Sequence, residues 1–376
     1  MNKRFCAIWL VFVVLSAAGC SGGAGNAAQT EPAEASLTPN ESGTDAAAAW
    51  PTDKWSRSAP ERQGVDGEQL AKADKRIKEN YLNVYSLLVV RHGYLVYENY
   101  YHGMNNSSAA PVFSVTKSVM SALTGIAMNE GLLDNTDQKL SGLLPDMFAG
   151  MDDNRKGDIT LRDVLTMSGG LESIDSDYNA YFTSGDWLKY ALSKPMVHNP
   201  GEQFDYNTGL THFLSGVISA AAKRDTFSYA QEVLFKRIGM KVSNWEHDGK
   251  GIYGGGSGLY LKPEDMAKFG YLYLHKGKWN GEQIIPEAWV EESTKKQITV
   301  ASGVDYGYLF WLETMGAKDG SPGYSTFRAD GAGGQKIVVV PELDLVVVVT
   351  ANQRSTSRDK ADTQAIIADY VLPAVK

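Results

Sequence analysis

Residues 113–131 read Phe113-Ser-Val-Thr-Lys-Ser-Val-Met-Ser-Ala-Leu-Thr-Gly-Ile-Ala-Met-Asn-Glu-Gly131. The stretch is apolar and rich in small side chains, which predicts a buried helix over 114–130 closed by Gly131. Its first turn carries Ser114 and Lys117, and a spacing of three puts both on one helix face. A lysine buried in such a helix loses solvation, its pKa falls, and a neutral amine beside a hydroxyl can act as a base. The helix N-terminus also favours negative charge developing on Ser114 and on an acyl oxygen. Read alone, the pair is equally a serine N-cap and a lysine snorkelling to water. The spacing recurs at Ser293/Lys296 and Ser357/Lys360, but in charged, polar stretches that suit a solvated surface.

Outward from this helix, strands are expected near both chain ends and helices between them. A polar helix is predicted over 67–80. Residues 86–91 and 94–101, split by His92-Gly93, read as a β-hairpin. Helical periodicity dominates 131–250, for example over 161–167 and 209–224, and glycines cluster at 249–258. Further helices are expected over 263–275 and 286–296. Residues 335–340 and 345–350 are β-branched strands turned by Pro341 to Asp344, and an amphipathic helix over 359–371 ends the chain. The fold class is α+β: an antiparallel sheet built from the two ends, flanked by helices, with an inserted mainly helical lobe. A cleft between two such lobes is a common place for a site.

The 376 residues carry a net charge of -8, which argues against a nucleic-acid binder that neutralises phosphates. Two cysteines build no disulfide framework. Six histidines without HExxH or a Cys/His cluster give no sign of zinc. No cofactor is expected. Other nucleophile patterns are missing too: Ser257 has Gly255 before it but Leu259 after it, so there is no GxSxG elbow.

The N-terminus reads as an export signal over 1–19, with Lys3 and Arg4, an apolar run from Phe5 to Leu15 and a small-residue ending. That run is too short to span a bilayer, which takes about 20 residues. Ala17-Ala-Gly-Cys20 resembles a bacterial lipobox, although Ala17 stands where leucine is usual. The resemblance implies a lipid on Cys20 and a membrane-anchored exported protein; an ordinary cleaved signal is the other reading. Residues 20–50 have the composition of a flexible acidic tether. The folded domain is expected over 51–376, with an α/β lobe from 51–110 and 250–376 and a helical lobe over 111–249.

Several segments together resemble the penicillin-recognising serine hydrolases, in the branch of class C β-lactamases, D-alanyl-D-alanine peptidases, related esterases and 6-aminohexanoate-dimer hydrolases. They are residues 113–131, Leu143-Leu-Pro-Asp146, Leu161-Arg-Asp-Val-Leu-Thr-Met-Ser-Gly-Gly170, Pro200-Gly-Glu-Gln-Phe-Asp-Tyr-Asn-Thr-Gly209, 254–270 and Ala329-Asp-Gly-Ala-Gly-Gly-Gln335. Order and spacing agree over roughly 55–372. The resemblance implies a β-lactamase/transpeptidase-like fold and an acyl-enzyme hydrolase of esters or amides. By position it makes Ser114 the nucleophile, Lys117 its base partner and Tyr206 a proton shuttle that a neighbouring ammonium would activate. The N–H groups of Ser114 and Ala332 would form the oxyanion hole. Ala329-Asp330-Gly331 would be the third motif, on an edge strand that binds substrate together with Gly333.

Two departures set expectations about substrate. Thr208 stands where Asn or Ser usually closes the second motif. The third motif lacks its cation, and Asp330 would repel a carboxylate or attract an amine. Both favour an esterase or amidase of the 6-aminohexanoate-dimer type over a D-Ala-D-Ala carboxypeptidase or β-lactamase. A non-catalytic binder of cell-wall peptides is the alternative from another class. Tyr178, Tyr181, Phe182 and Trp187 either wall the cleft or pack the helical lobe. His212, at helical spacing from Tyr206, reads as structural. The expected partner is a small ester or amide, and the expected state a monomer.

Overall fold

In the computed structural model the described residues are 50–316, 322–352 and 363–376. The predicted signal, Cys20 and all of the tether except Trp50 lie outside them. Helix α1 (Gly67–Asn80) is started by Asp66, whose side chain accepts from Gln69 N at 3.0 Å. Strands β1 (Val84–Arg91) and β2 (Tyr94–Tyr100) follow as the predicted hairpin. His92 and Gly93 both take positive φ, 49° and 78°, as the tight two-residue turn of a twisted hairpin requires. Helix α2 (Val115–Asn129) then runs almost wholly buried.

The middle of the chain is helical, with Leu161–Leu165, Trp187–Ser193 and α3 (Thr208–Ala222). After α4 (Pro263–Leu274) come β3 (Ile298–Ala301), β4 (Val304–Tyr306), β5 (Trp311–Met315), β6 (Tyr324–Gly331), β7 (Gln335–Val340) and β8 (Leu345–Ala351). The last helix begins at Thr363 among the described residues; residues 359–362 of the predicted helix lie outside them.

One antiparallel sheet takes the order β2-β1-β8-β7-β6-β5-β4-β3. Chain ends meet where β1 pairs with β8, Val89 opposite Val347. The sheet is covered on both faces, which explains why Ile337–Val340 of β7 and Val346–Val349 of β8 are unbroken β-branched runs rather than alternating with polar residues. Leu345, Val347 and Val349 face α1 and the C-terminal helix, in a core with Leu70, Ile77 and Ile366. Val346 and Val348 face the other way, into the core shared with Val119 and Leu123 of α2 and Phe269 of α4.

Half of the sheet, β3 to β6, comes from 298–331, within the 250–376 region expected to build it, although local sequence pattern singles out none of these four strands. One expectation changes: the strand holding the third motif is interior, between β5 and β7. Its β5 ladder ends at Arg328 opposite Trp311, while its β7 ladder continues to Gly331 opposite Gln335. The edge inferred from sequence is therefore local to the last three residues of β6.

Candidate active site

Ser114 is the N-cap of α2 and is reached through a strained residue, Phe113 at φ 48°. A left-handed conformation at a non-glycine residue persists only where its surroundings enforce it. Here Val112 N donates to Leu259 O at 2.9 Å, and Ala110–Pro111 pair with Tyr260–Leu261. Gly331, at the end of β6, lies directly over this approach: a methyl there would come within 2.2 Å of the Val112 carbonyl oxygen. Only glycine allows so close a contact, and it places the turn with Ala332 and Gly333 beside the segment that delivers Ser114.

Lys117 sits one turn along and is 1% exposed. Its Nζ lies 2.9 Å from Ser114 Oγ, 3.0 Å from Thr208 Oγ1 and 2.7 Å from Gly256 O. Burial pulls its pKa down to about 7, opposed by the negative charge of Asp175. A neutral amine has two N–H groups and one lone pair. Gly256 O can only accept, so it takes one N–H and restricts where the lone pair points. The amine can then take the Ser114 proton when a carbonyl is attacked.

The second motif is carried on the loop before α3. Asp205 N donates to Met167 O at 2.7 Å and Gly201 N to Ser168 O at 2.8 Å. Ser173 Oγ donates to Tyr206 O at 2.7 Å, and Thr208 N donates to Asp175 Oδ1 at 3.1 Å. Asn207 caps α3 by accepting from Leu210 N at 3.2 Å. Tyr206 is thereby set with its ring face 4.9 Å from Lys117 Nζ and stacked on Trp311 at 5.9 Å.

Burial drives the Tyr206 pKa well above its ordinary value, against the opposing contact with Ser114. The sequence expectation that a neighbouring ammonium would lower it does not hold, because desolvation outweighs every other influence. The phenol stays protonated near neutrality and can donate or relay a proton, while Lys117 is the group suited to accept one.

Tyr178 is 37% exposed, stacks on Phe182, and brings its hydroxyl to 2.9 Å from Thr208 Oγ1. Trp187, by contrast, is 6% exposed and packs on Tyr181, Phe182 and His212. Of the aromatic stretch, Tyr178 touches the serine–lysine centre through Thr208, and Trp187 belongs to the main hydrophobic core.

Asp330 is not the open carboxylate that the sequence suggested. Its two oxygens accept from Arg328 Nε and Lys336 Nζ, both at 2.8 Å, and Arg328 also pairs with Glu313. Sequence reasoning missed Asp175, Trp311 and the Gly256 carbonyl. Nothing local marks the first two, and a main-chain carbonyl has no residue signal beyond the glycine cluster around it. Among the described residues no group of His, Cys, Asp and Glu side chains could hold a metal ion.

Comparison with known proteins agrees with this architecture. A putative 6-aminohexanoate-dimer hydrolase from Bacillus anthracis is 19% identical, with TM-score 0.71, covering 86% of this chain and 87% of its own. EstCE1, a hydrolase with promiscuous acyltransferase activity, is 16% identical at TM-score 0.66, covering 80% and 99%. The octameric penicillin-binding protein homologue from Pyrococcus abyssi is 18% identical at TM-score 0.64, covering 82% and 77%. Likeness at such identity establishes the β-lactamase/transpeptidase-like fold. Residues 73–371 match the family described as Beta-lactamase. With most of its length matched, the chain belongs to the Beta-lactamase family, whose members are usually serine hydrolases.

Proposed function

We propose that the chain is a serine hydrolase that cleaves ester or amide bonds through an acyl-enzyme on Ser114. The observation that carries this reading is the Lys117 amine, buried and held near neutrality, 2.9 Å from Ser114 Oγ. Ser114 Oγ attacks the carbonyl carbon while its proton passes to Lys117. The oxyanion forms against the N–H groups of Ser114 and Ala332. As the C–O or C–N bond breaks, the proton moves from Lys117 through the Tyr206 phenol to the departing alcohol or amine. Water then attacks the acyl-enzyme by the same route in reverse, releasing the acid and restoring Ser114.

The third motif supports a substrate without an essential carboxylate. Arg328 and Lys336 are the cations there, and both are engaged: Arg328 by Asp330 and Glu313, Lys336 by Asp330. The reading is thus esterase- or 6-aminohexanoate-dimer-hydrolase-like, with Tyr178, Thr208, Gly331 and Gly333 lining the reacting bond. A chromogenic short-chain ester should be hydrolysed by the wild type and not by Ser114→Ala. Equal rates for the two would support a binder without catalysis. Nitrocefin and a D-Ala-D-Ala peptide should turn over more slowly than the ester; the reverse order would favour a β-lactamase or carboxypeptidase.

A further inference from the structure

His212 lies on α3, one and a half turns beyond the second-motif tyrosine, and is fully buried. Its Nδ1 accepts from Gly255 N at 3.2 Å. That bond puts the ring proton on Nε2, which faces Asp248 Oδ2 at 3.6 Å and has no other partner among the described residues. Asp248 is buried as well. Its Oδ1 accepts from Lys250 N and Ile252 N, both at 2.9 Å, and its Oδ2 from Trp187 N at 3.2 Å. Tyr181 and Trp187 close round the imidazole.

This pair is costly. An apolar side chain of equal volume would fill the space without burying a carboxylate and an imidazole. What distinguishes the spot is its neighbour: Gly255 precedes Gly256, whose carbonyl takes an N–H of Lys117 at 2.7 Å. The glycine loop lies flat on α3, and side chains at Gly255 and Gly256 would strike the Thr211 and Thr208 carbonyl oxygens at 2.4 and 2.5 Å. Steric fit alone presses the loop against the helix. It does not set how the loop's peptides are turned; the Gly254–Gly255 peptide is set by His212 Nδ1 on its N–H and Trp245 Nε1 on its carbonyl, the latter at 2.9 Å, and the chain runs on from there to the Gly256 carbonyl.

We propose that His212 is a positioning residue for the serine–lysine pair: its Nδ1 holds the Gly255 N–H and so anchors the glycine loop whose Gly256 carbonyl aims the Lys117 amine at Ser114, and Asp248 holds the ring in the required tautomer. The inference rests on the hydrolase reading above. Asp248 joins it to the lobe, since the same carboxylate ties the start of the Trp187–Ser193 helix to the 248–252 turn.

The test follows labelling of Ser114 in the full chain by a fluorophosphonate, with intact-protein mass spectrometry giving both the rate constant and the final labelled fraction. His212→Asn keeps an acceptor near Nδ1, whereas His212→Gln places its amide near Nε2 and gives the acceptor up. Asp248→Asn presents an amide to Nε2 and favours the wrong tautomer. His212→Gln and Asp248→Asn should lower the rate constant by about 10- to 100-fold with the labelled fraction intact, and His212→Asn should stay within about threefold of wild type. A histidine that served packing alone would lower the labelled fraction and leave the rate constant unchanged, or would fail equally in Asn and Gln. Either result overturns the proposal. Should the Gln variant not fold, an unchanged rate constant in Asp248→Asn overturns it as well. A wild type that takes no label brings down the hydrolase reading and this one together; a labelled wild type with undiminished variants brings down this one alone.

Discussion

At the scale of single residues, the decisive quantity is the proton on Lys117. Its amine is neutral above about 7 and charged below, so turnover should rise with pH along an acid limb centred near that value. Asp175 is the charge that favours the ammonium form. Asp175→Asn removes it, lowers the Lys117 pKa further, and should move the acid limb to lower pH in a rate–pH profile. The Asn can still accept from Thr208 N, which keeps the backbone bond that Asp175 makes. Stability carries the same signature. Between about 7 and the ordinary lysine value of 10.5 the unfolded chain binds more protons than the folded one. The contribution of Lys117 to stability therefore rises with pH through that window and is least below it.

At the scale of elements, helix α3 matters because its first turn delivers Thr208 and the residue before it caps the helix. Asn207 does two jobs there: it accepts from Leu210 N, and its amide donates to Leu171 O and Glu172 O at 3.2 and 3.3 Å. Asn207→Ala should cost about 1–3 kcal/mol in urea unfolding, the loss of a cap plus two abandoned carbonyls. Activity should fall alongside, since Tyr206 adjoins the cap. A helix with the same apolar face and no cap would pack as well, so a stability loss below a few tenths of a kcal/mol would show that the loop is held by Ser173 and Asp175 instead.

At the scale of the whole molecule, the charge group Glu313, Arg328, Asp330 and Lys336 joins β5, β6 and β7 beneath the third motif. The side chains of Arg328 and Glu313 are 6% and 9% exposed. Asp330→Ala leaves Lys336 without its carboxylate and Arg328 with Glu313 alone. It should destabilise the fold by about 2–3 kcal/mol, less than the roughly 3–5 kcal/mol for orphaning a fully buried charge, because Asp330 itself is partly exposed. KM for a neutral ester should change little. A large rise in KM with unchanged stability would instead return Asp330 to the substrate side.

The sequence by itself determined the elements with strong local periodicity: α1, the β1–β2 hairpin, α2, and the valine-rich β7 and β8. It also placed Ser114 and Lys117 on one helical turn, because a spacing of three fixes that whatever surrounds the helix. It could not show β3 to β6, whose runs are either very short, as in β3 and β4, or mixed with charged residues, as in β5 and β6. Nor could it decide whether the Lys117 amine was buried beside Ser114 or snorkelled to water. That depends on Thr208, Gly256, Asp175 and Trp311, brought in from as far as 139 residues away for the Gly256 carbonyl and farther for Trp311. Desolvation and long-range charge set a pKa, and both are properties of packing that no local pattern encodes.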